Sequence, residues 1–201
     1  MKLSFSATSP YVRKVRACAI TREIDGQIEL VPTDANASPP DFVAINPLSK
    51  VPALVTDDGV ALFDSPVICE YLDSIGDALA MFPTHGTARW RALKLQAMGD
   101  GILDASVPRR GELMKPQDEG RVAWIARQKA AVDRTLDALE ADPPHRIVDI
   151  GSIAVACALG YLDFRFAVQP WREGRPKLAA WYEAFAQNPG IALTAPREGA
   201  A

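Results

Sequence analysis

Histidine and cysteine are scarce in this chain, and their scarcity removes several chemistries at once. The only histidines, His85 and His145, stand far apart beside turn residues. No His/Cys cluster has metal-ligand spacing, so no metal is expected. Cys18, Cys69 and Cys157 are widely separated, each inside an apolar-periodic run. They make no disulfide framework and suit buried thiols in a reducing, cytoplasmic compartment. Long apolar runs are also missing: nothing approaches the ~20 residues of a membrane span. The opening MKLSFSATSPYVRKV has no signal-peptide core. Charge of one sign does not dominate either. A formal net charge of −3 gives no general electrostatics for nucleic acid.

What remains is an ordinary globular composition. With 201 residues, 48% apolar and 23% charged, the chain has material for a sizeable core in one large domain or two small ones. Its first eighty residues are net acidic and the rest net basic, which favours two units.

The pattern along the chain says the same. KLSFSA alternates as a short strand, and Pro10 to about Glu23 has helical spacing, with Val12, Val15, Ala19 and Ile20 on one side. Asp25-Gly26 signals a turn, and Gln27 to Thr33 reads as a second strand. PALVTDDGVALF is a hairpin about Asp57-Asp58-Gly59. DSPVICEYLDSIG begins with Ser-Pro and stops at Gly76, the form of a helix. Helical periodicity then takes over. One long helix contains Pro108. A second has Val122, Ile125, Val132, Leu136 and Leu139 spaced for burial. A third is apolar nearly all round from Ile153 to Leu162, and a last one turns Leu178, Trp181, Tyr182 and Phe185 inward. Trp90, Trp124, Trp171 and Trp181 read as core or interface. The expected division is residues 1–77, mixed α/β, and residues 86–201, all helical, with a frayed tail at TAPREGAA.

Three stretches of the first unit carry chemistry. Ser9-Pro10 has the form of an N-cap followed by proline in the first turn. Its hydroxyl is also able to face a reacting atom. Val51-Pro52 stands just before a strand, where proline has no N–H to give the sheet. A cis bond there would turn the Val51 backbone outward to pair with a bound peptide. Ser65-Pro66 opens another helix, whose first N–H groups and dipole favour an anion. Asp64 beside it suits an amine. Carboxylate and amine on one carbon are the head group of an amino acid.

In this order, SPYVRKV, NPLSKVPAL and DSPVICEYL, followed by an all-helical unit, resemble the soluble glutathione S-transferases, of the serine type. The resemblance spans nearly the whole chain. It implies a thioredoxin-like βαβαββα domain followed by an all-helical domain, usually as a homodimer acting in detoxification. By resemblance, Val51 and cis Pro52 would hold the cysteinyl backbone of glutathione. Asp64 and Ser65 would take its γ-glutamyl head, and Lys50 would approach its glycyl carboxylate. Ser9 takes the thiol-facing place, with Thr8 and Ser6 as neighbouring hydroxyls that compete for it. An electrophilic co-substrate would sit between the domains, near Tyr11, Met98, Ile102, Ser106 and Arg109. Met98 and Ile102 suit an apolar group and Arg109 an anionic one. A non-catalytic module of the same fold, for ligand carriage or protein interaction, is the alternative.

The chemistry needs an ionised thiol. Lowering a cysteine-like pKa of about 8.5 by two units takes about 2.7 kcal/mol. A hydroxyl donating to a thiolate supplies about 1.5–3 kcal/mol, and a helix N-terminus about 0.3–1 kcal/mol. Ser9-Pro10-Tyr11-Val12 has no cysteine, so thiol–disulfide exchange is excluded at this position. The fully apolar helix departs from the family in one respect. Its expected Ser/Thr-x-x-Asp capping box is exchanged to Asp149-x-x-Ser152, and the return bond from a hydroxyl is expected to be the weaker one.

Overall fold

A computed structural model of the protein describes residues 1–76 and 78–197. The described residues divide into two compact units. Residues 1–84 and the segment from Asn188 onward form one, and His85–Gln187 form the other. Asp77, at the expected domain boundary, and residues 198–201 of the expected tail lie outside the described residues.

The first unit is built on a four-stranded sheet in the order β2-β1-β3-β4. Strand β1 (Lys2–Phe5) pairs in parallel with β2 (Glu29–Pro32), across helix α1 (Pro10–Thr21). It pairs antiparallel with β3 (Ala53–Val55), which pairs antiparallel with β4 (Ala61–Leu62). The βαβ unit and the hairpin are as the sequence predicts. Gly59, at φ 85°, supplies the left-handed turn between β3 and β4. Helix α1 ends at Thr21 because Glu23 turns left-handed, at φ 59°. Asp25–Gln27 is a turn of 3-10 helix. Helix α2 (Pro40–Ile45) precedes the NPLSK stretch, and α3 (Ser65–Ser74) closes the unit. Leu3, Val15, Cys18, Leu54, Ile68 and Leu72 are fully buried in its core.

After α3 the chain is held by charge. Arg22, 4% exposed, donates to the carbonyls of Ile75, Gly76 and Ala78. Its ion-pair partner Asp73 accepts from the N–H groups of Met81 and Phe82 at 2.7 and 3.0 Å. Three carbonyls and two N–H groups that lie outside regular structure are thereby satisfied.

Before the expected tail the chain forms a short helix, α8 (Pro189–Ala192), which packs on α1. Gly190 permits the approach, since a Cβ there would stand 2.7 Å from the Ala17 carbonyl oxygen. Buried Arg13 donates to the Ile191 carbonyl at 3.1 Å.

The second unit is a helix bundle of α4 (Gly86–Leu113), α5 (Glu119–Ala141), α6 (Ile150–Arg165) and α7 (Pro176–Phe185). Helix α4 runs through Pro108, which withholds the bond to the carbonyl four residues back, at exposed Asp104. All residues of α6 from Ile150 to Leu162 are buried. Glycines set its distance from α4. A Cβ on Gly151 would lie 2.5 Å from the Ala92 oxygen, and one on Gly99 2.6 Å from the Ala154 carbonyl carbon.

Asp149 caps α6 by accepting from the Ser152 N–H at 2.8 Å, and the Ser152 hydroxyl accepts from the Asp149 N–H at 2.9 Å. The exchanged box therefore closes in both directions. The hydroxyl also lies 2.9 Å from the Ile147 and Asp149 carbonyls, either of which can take its proton, a bond no carboxylate could make. One expectation about packing fails: Val122 is 52% exposed. Of the tryptophans read as core or interface, Trp171 and Trp181 are buried, while Trp90 and Trp124 are exposed. Periodicity marks an apolar face but not how much of it a neighbour covers.

Candidate functional site

The sheet register determines where the three chemical stretches meet. Ser4, near the end of β1, pairs with Ala53, the first residue of β3. Leu54 of β3 pairs with Leu62, the last residue of β4. The exit of β1, the entrance of β3 and the exit of β4 therefore lie at one end of the sheet. The β1 exit leads to Ser9, the β3 entrance follows Val51-Pro52, and the β4 exit leads to Asp64 and Ser65. Residues more than fifty positions apart in the chain are brought to one edge by three strands.

Ser9 is the N-cap of α1. Its Oγ accepts from the Val12 N–H at 3.3 Å, and its own N–H donates to the Ser6 carbonyl. Capping uses the oxygen as acceptor and leaves the hydroxyl proton to donate elsewhere. The side chain is half-buried at the positive end of a twelve-residue helix. The cap role and a thiol-facing role are thus compatible in one hydroxyl.

The Val51–Pro52 bond is cis, as the family resemblance implies, and Phe63–Asp64 is a second cis bond, without proline. Val51 is half-buried, Pro52 buried and Lys50 exposed. This loop is held by a residue that sequence reasoning missed. Asn46 is 1% exposed, donates from Nδ2 to the Lys50 carbonyl at 2.7 Å, and accepts from the Leu48 N–H at 3.0 Å. An asparagine before proline after a short helix is the available signal, because its side chain readily closes a local turn.

At the third stretch Asp64 is the N-cap of α3 but makes no side-chain cap bond, and it is exposed. Ser65 is the first residue of the helix and is 2% exposed. Its N–H and that of Val67 have no carbonyl four residues back within the helix, since the first such bond runs from Ile68 to Asp64. An exposed carboxylate beside free helix N–H groups offers one place for an amine and one for a carboxylate.

The expected electrophile residues are distributed differently. Tyr11 is half-buried in the first turn of α1, and Met98 is half-buried on α4. Ile102, Ser106 and Arg109 are 1%, 0% and 3% exposed. The Arg109 guanidinium donates to Gln169 and stands 4.5 Å over the Phe166 ring, all within the helical unit. Among the described residues no group of His, Cys, Asp and Glu is placed to hold a metal.

Comparison with known proteins matches this geometry at both ends of the chain. The family model described as "Glutathione S-transferase, N-terminal domain" matches residues 8–75, and "Glutathione S-transferase, C-terminal domain" matches residues 122–184. An uncharacterized GST-like protein, YibF, of Escherichia coli K12 is 36% identical, over 98% of both chains. A crystal structure of a glutathione transferase family member from Pseudomonas fluorescens Pf-5, with bound glutathione, is 39% identical over 98% of both chains, with a TM-score of 0.91. A glutathione S-transferase from Methylobacillus flagellatus KT with glutathione bound is 34% identical, over 98% of this chain and 99% of that one, with a TM-score of 0.87.

Proposed function

The chain belongs to the glutathione S-transferase family, and from that premise we propose that it binds glutathione, ionises its thiol and directs the thiolate at an electrophile. Relatives of known structure carry bound glutathione. The observation that carries the reading is the convergence of Ser9, Val51-Pro52 and Asp64-Ser65 at one sheet edge. In this reading, the Val51 backbone pairs with the cysteinyl residue of the tripeptide. Asp64 takes its α-amino group, and the Ser65 end of α3 takes the neighbouring carboxylate. Lys50, exposed on the loop that Asn46 holds, meets the glycyl carboxylate.

The bound thiol then lies at the start of α1. The Ser9 hydroxyl donates to the thiolate while its lone pair keeps the Val12 N–H. Donation favours the charged form, so the thiol ionises nearer neutral pH. Ser9 itself does not attack, because no histidine base stands near it in the sequence. The thiolate attacks an electrophilic carbon, which fits electrophile detoxification; peroxide reduction, isomerisation and ether cleavage use the same nucleophile. The assembly implied by the family is a homodimer, which sedimentation at micromolar concentration tests. No described helix is long and apolar enough to cross a membrane.

The test is a thermal-shift titration with glutathione, followed by thiolate absorbance against pH and conjugation of an aryl halide. Stabilisation, a lowered thiol pKa and conjugation together support the enzyme. Stabilisation with an ordinary thiol pKa and no conjugation with any electrophile tried would leave a non-catalytic glutathione binder. No stabilisation at millimolar glutathione overturns the reading.

A further inference from the structure

The helical unit contains a cavity of about 400 Å³ that the preceding chemistry does not use. It is walled by the end of α4, by α5, by the end of α6 and by the segment leading to α7, with no residue of the first unit in its lining. Its size lies in the range of small-molecule sites. Much of the wall is apolar, with Leu136, Leu162 and Trp171 buried.

Arg109 sets it apart from a packing defect. This arginine lines the cavity and is 3% exposed, yet it forms no ion pair among the described residues. Its Nε is buried without a hydrogen-bond partner. Its contacts are neutral: the Gln169 amide oxygen and the Phe166 ring. Burial holds its pKa below the ordinary arginine value, and the charge of Asp133 opposes this. A buried charge without an opposite partner is costly.

The other charges on the wall are already spent or exposed. Lys129 pairs with Asp133 at 2.6 Å, and Arg175 pairs with Asp137 at 2.7 Å. Glu173 is exposed, where water and salt screen it. One buried cation is left beside apolar walls and open volume.

We propose that this cavity is a second ligand site, separate from the glutathione site, and that it takes a small monocarboxylate with a flat apolar body. The carboxylate pairs with the Arg109 guanidinium, supplying the direct ion-pair partner that it lacks. The body of the ligand lies along Leu136, Leu162 and Trp171. The site does not depend on the catalytic reading, because none of its residues belongs to the first unit.

The experiment is a calorimetric titration of the full-length protein with 2-naphthoate, with and without saturating glutathione. Binding of one equivalent per chain, undiminished by glutathione, is expected. The neutral isostere 2-naphthalenemethanol should bind at least ten-fold more weakly. Arg109→Gln should weaken 2-naphthoate at least ten-fold while the glutathione-induced thermal shift is kept. Asp133→Asn removes the nearest opposing charge and releases Lys129, so it should tighten 2-naphthoate several-fold; this variant carries the test if Arg109→Gln does not fold. No binding of 2-naphthoate at millimolar concentration, competition by glutathione, equal affinity in Arg109→Gln, or unchanged or weaker affinity in Asp133→Asn would each overturn the proposal. If glutathione does not bind, the 2-naphthoate titrations of the protein and of both variants still test the site by themselves.

Discussion

Ser9 holds two roles in one hydroxyl, and a pair of substitutions separates them. The cap bond to the Val12 N–H is 3.3 Å long, at the weak end of hydrogen-bond geometry. Its loss in Ser9→Ala should therefore cost about 0.5–1 kcal/mol, toward the low end for a cap serine. In a chain of this size that lowers Tm by roughly 1–4 °C. Glycine is tolerated at N-caps at a cost of only a few tenths of a kcal/mol, so Ser9→Gly should leave Tm nearly unchanged. The thiolate contact behaves differently, because both variants remove the hydroxyl. Losing a hydrogen bond to a charged group, about 1.5–3 kcal/mol, should raise the bound thiol's pKa by about 1–2 units. Below both pKa values the conjugation rate should then fall about ten- to a hundred-fold, and the two rates should converge in alkali. Glutathione affinity should change little, since Val51, Asp64 and Ser65 hold the rest of the tripeptide. Thiolate absorbance against pH, the pH profile of kcat/KM and scanning calorimetry read the three quantities. An unchanged thiol pKa in Ser9→Gly would show that the hydroxyl only caps the helix.

Asp64→Asn should weaken glutathione about ten-fold by calorimetry at low salt, the loss of one exposed charge-assisted contact of about 1.5 kcal/mol, and the effect should shrink as salt rises. Asn46→Ala strips partners from the Lys50 carbonyl and the Leu48 N–H; it should cost about 1–3 kcal/mol in denaturant unfolding and weaken glutathione through the loosened loop. Gly151→Ala puts a methyl 2.5 Å from the Ala92 backbone oxygen, so α4 and α6 must separate, with a loss of about 1–3 kcal/mol and a Tm lower by several degrees. Burial holds the Tyr161 hydroxyl above its ordinary pKa. The unfolded chain therefore releases this proton first, and stability should be lost as pH rises past 10. Tyr161→Phe should flatten that alkaline fall in urea midpoints, and an unchanged slope would contradict the assignment.

Local physics made much of this protein legible. Ser9-Pro10 and Ser65-Pro66 mark helix starts, Asp58-Gly59 marks the hairpin, and the apolar run of α6 marks a buried helix. Each depends on neighbours within a few residues. Asn46 was harder to see: asparagine before proline announces a turn, and only the folded loop shows which carbonyl and which N–H it satisfies. Arg109 was placed with an anionic second substrate on the family resemblance and helical spacing. Spacing names the face of a helix but not what lies opposite, and here Phe166 and Gln169 lie opposite. Val122 was read as covered for the same reason and is exposed.

The order of strands and helices, their starts and stops, and the residue types offered to a tripeptide were determined by the sequence itself, because propensity, capping and turn chemistry act over short separations. Tertiary structure alone decided which of these meet. Strand register gathers Ser9, Pro52 and Asp64 at one edge. Arg13 and Gly190 draw the last short helix onto α1 across 178 positions of chain. Packing of α5 and α6 about the end of α4 leaves a buried cation facing open space. Such contacts join residues far apart in sequence, and their energy exists only once both sides have folded.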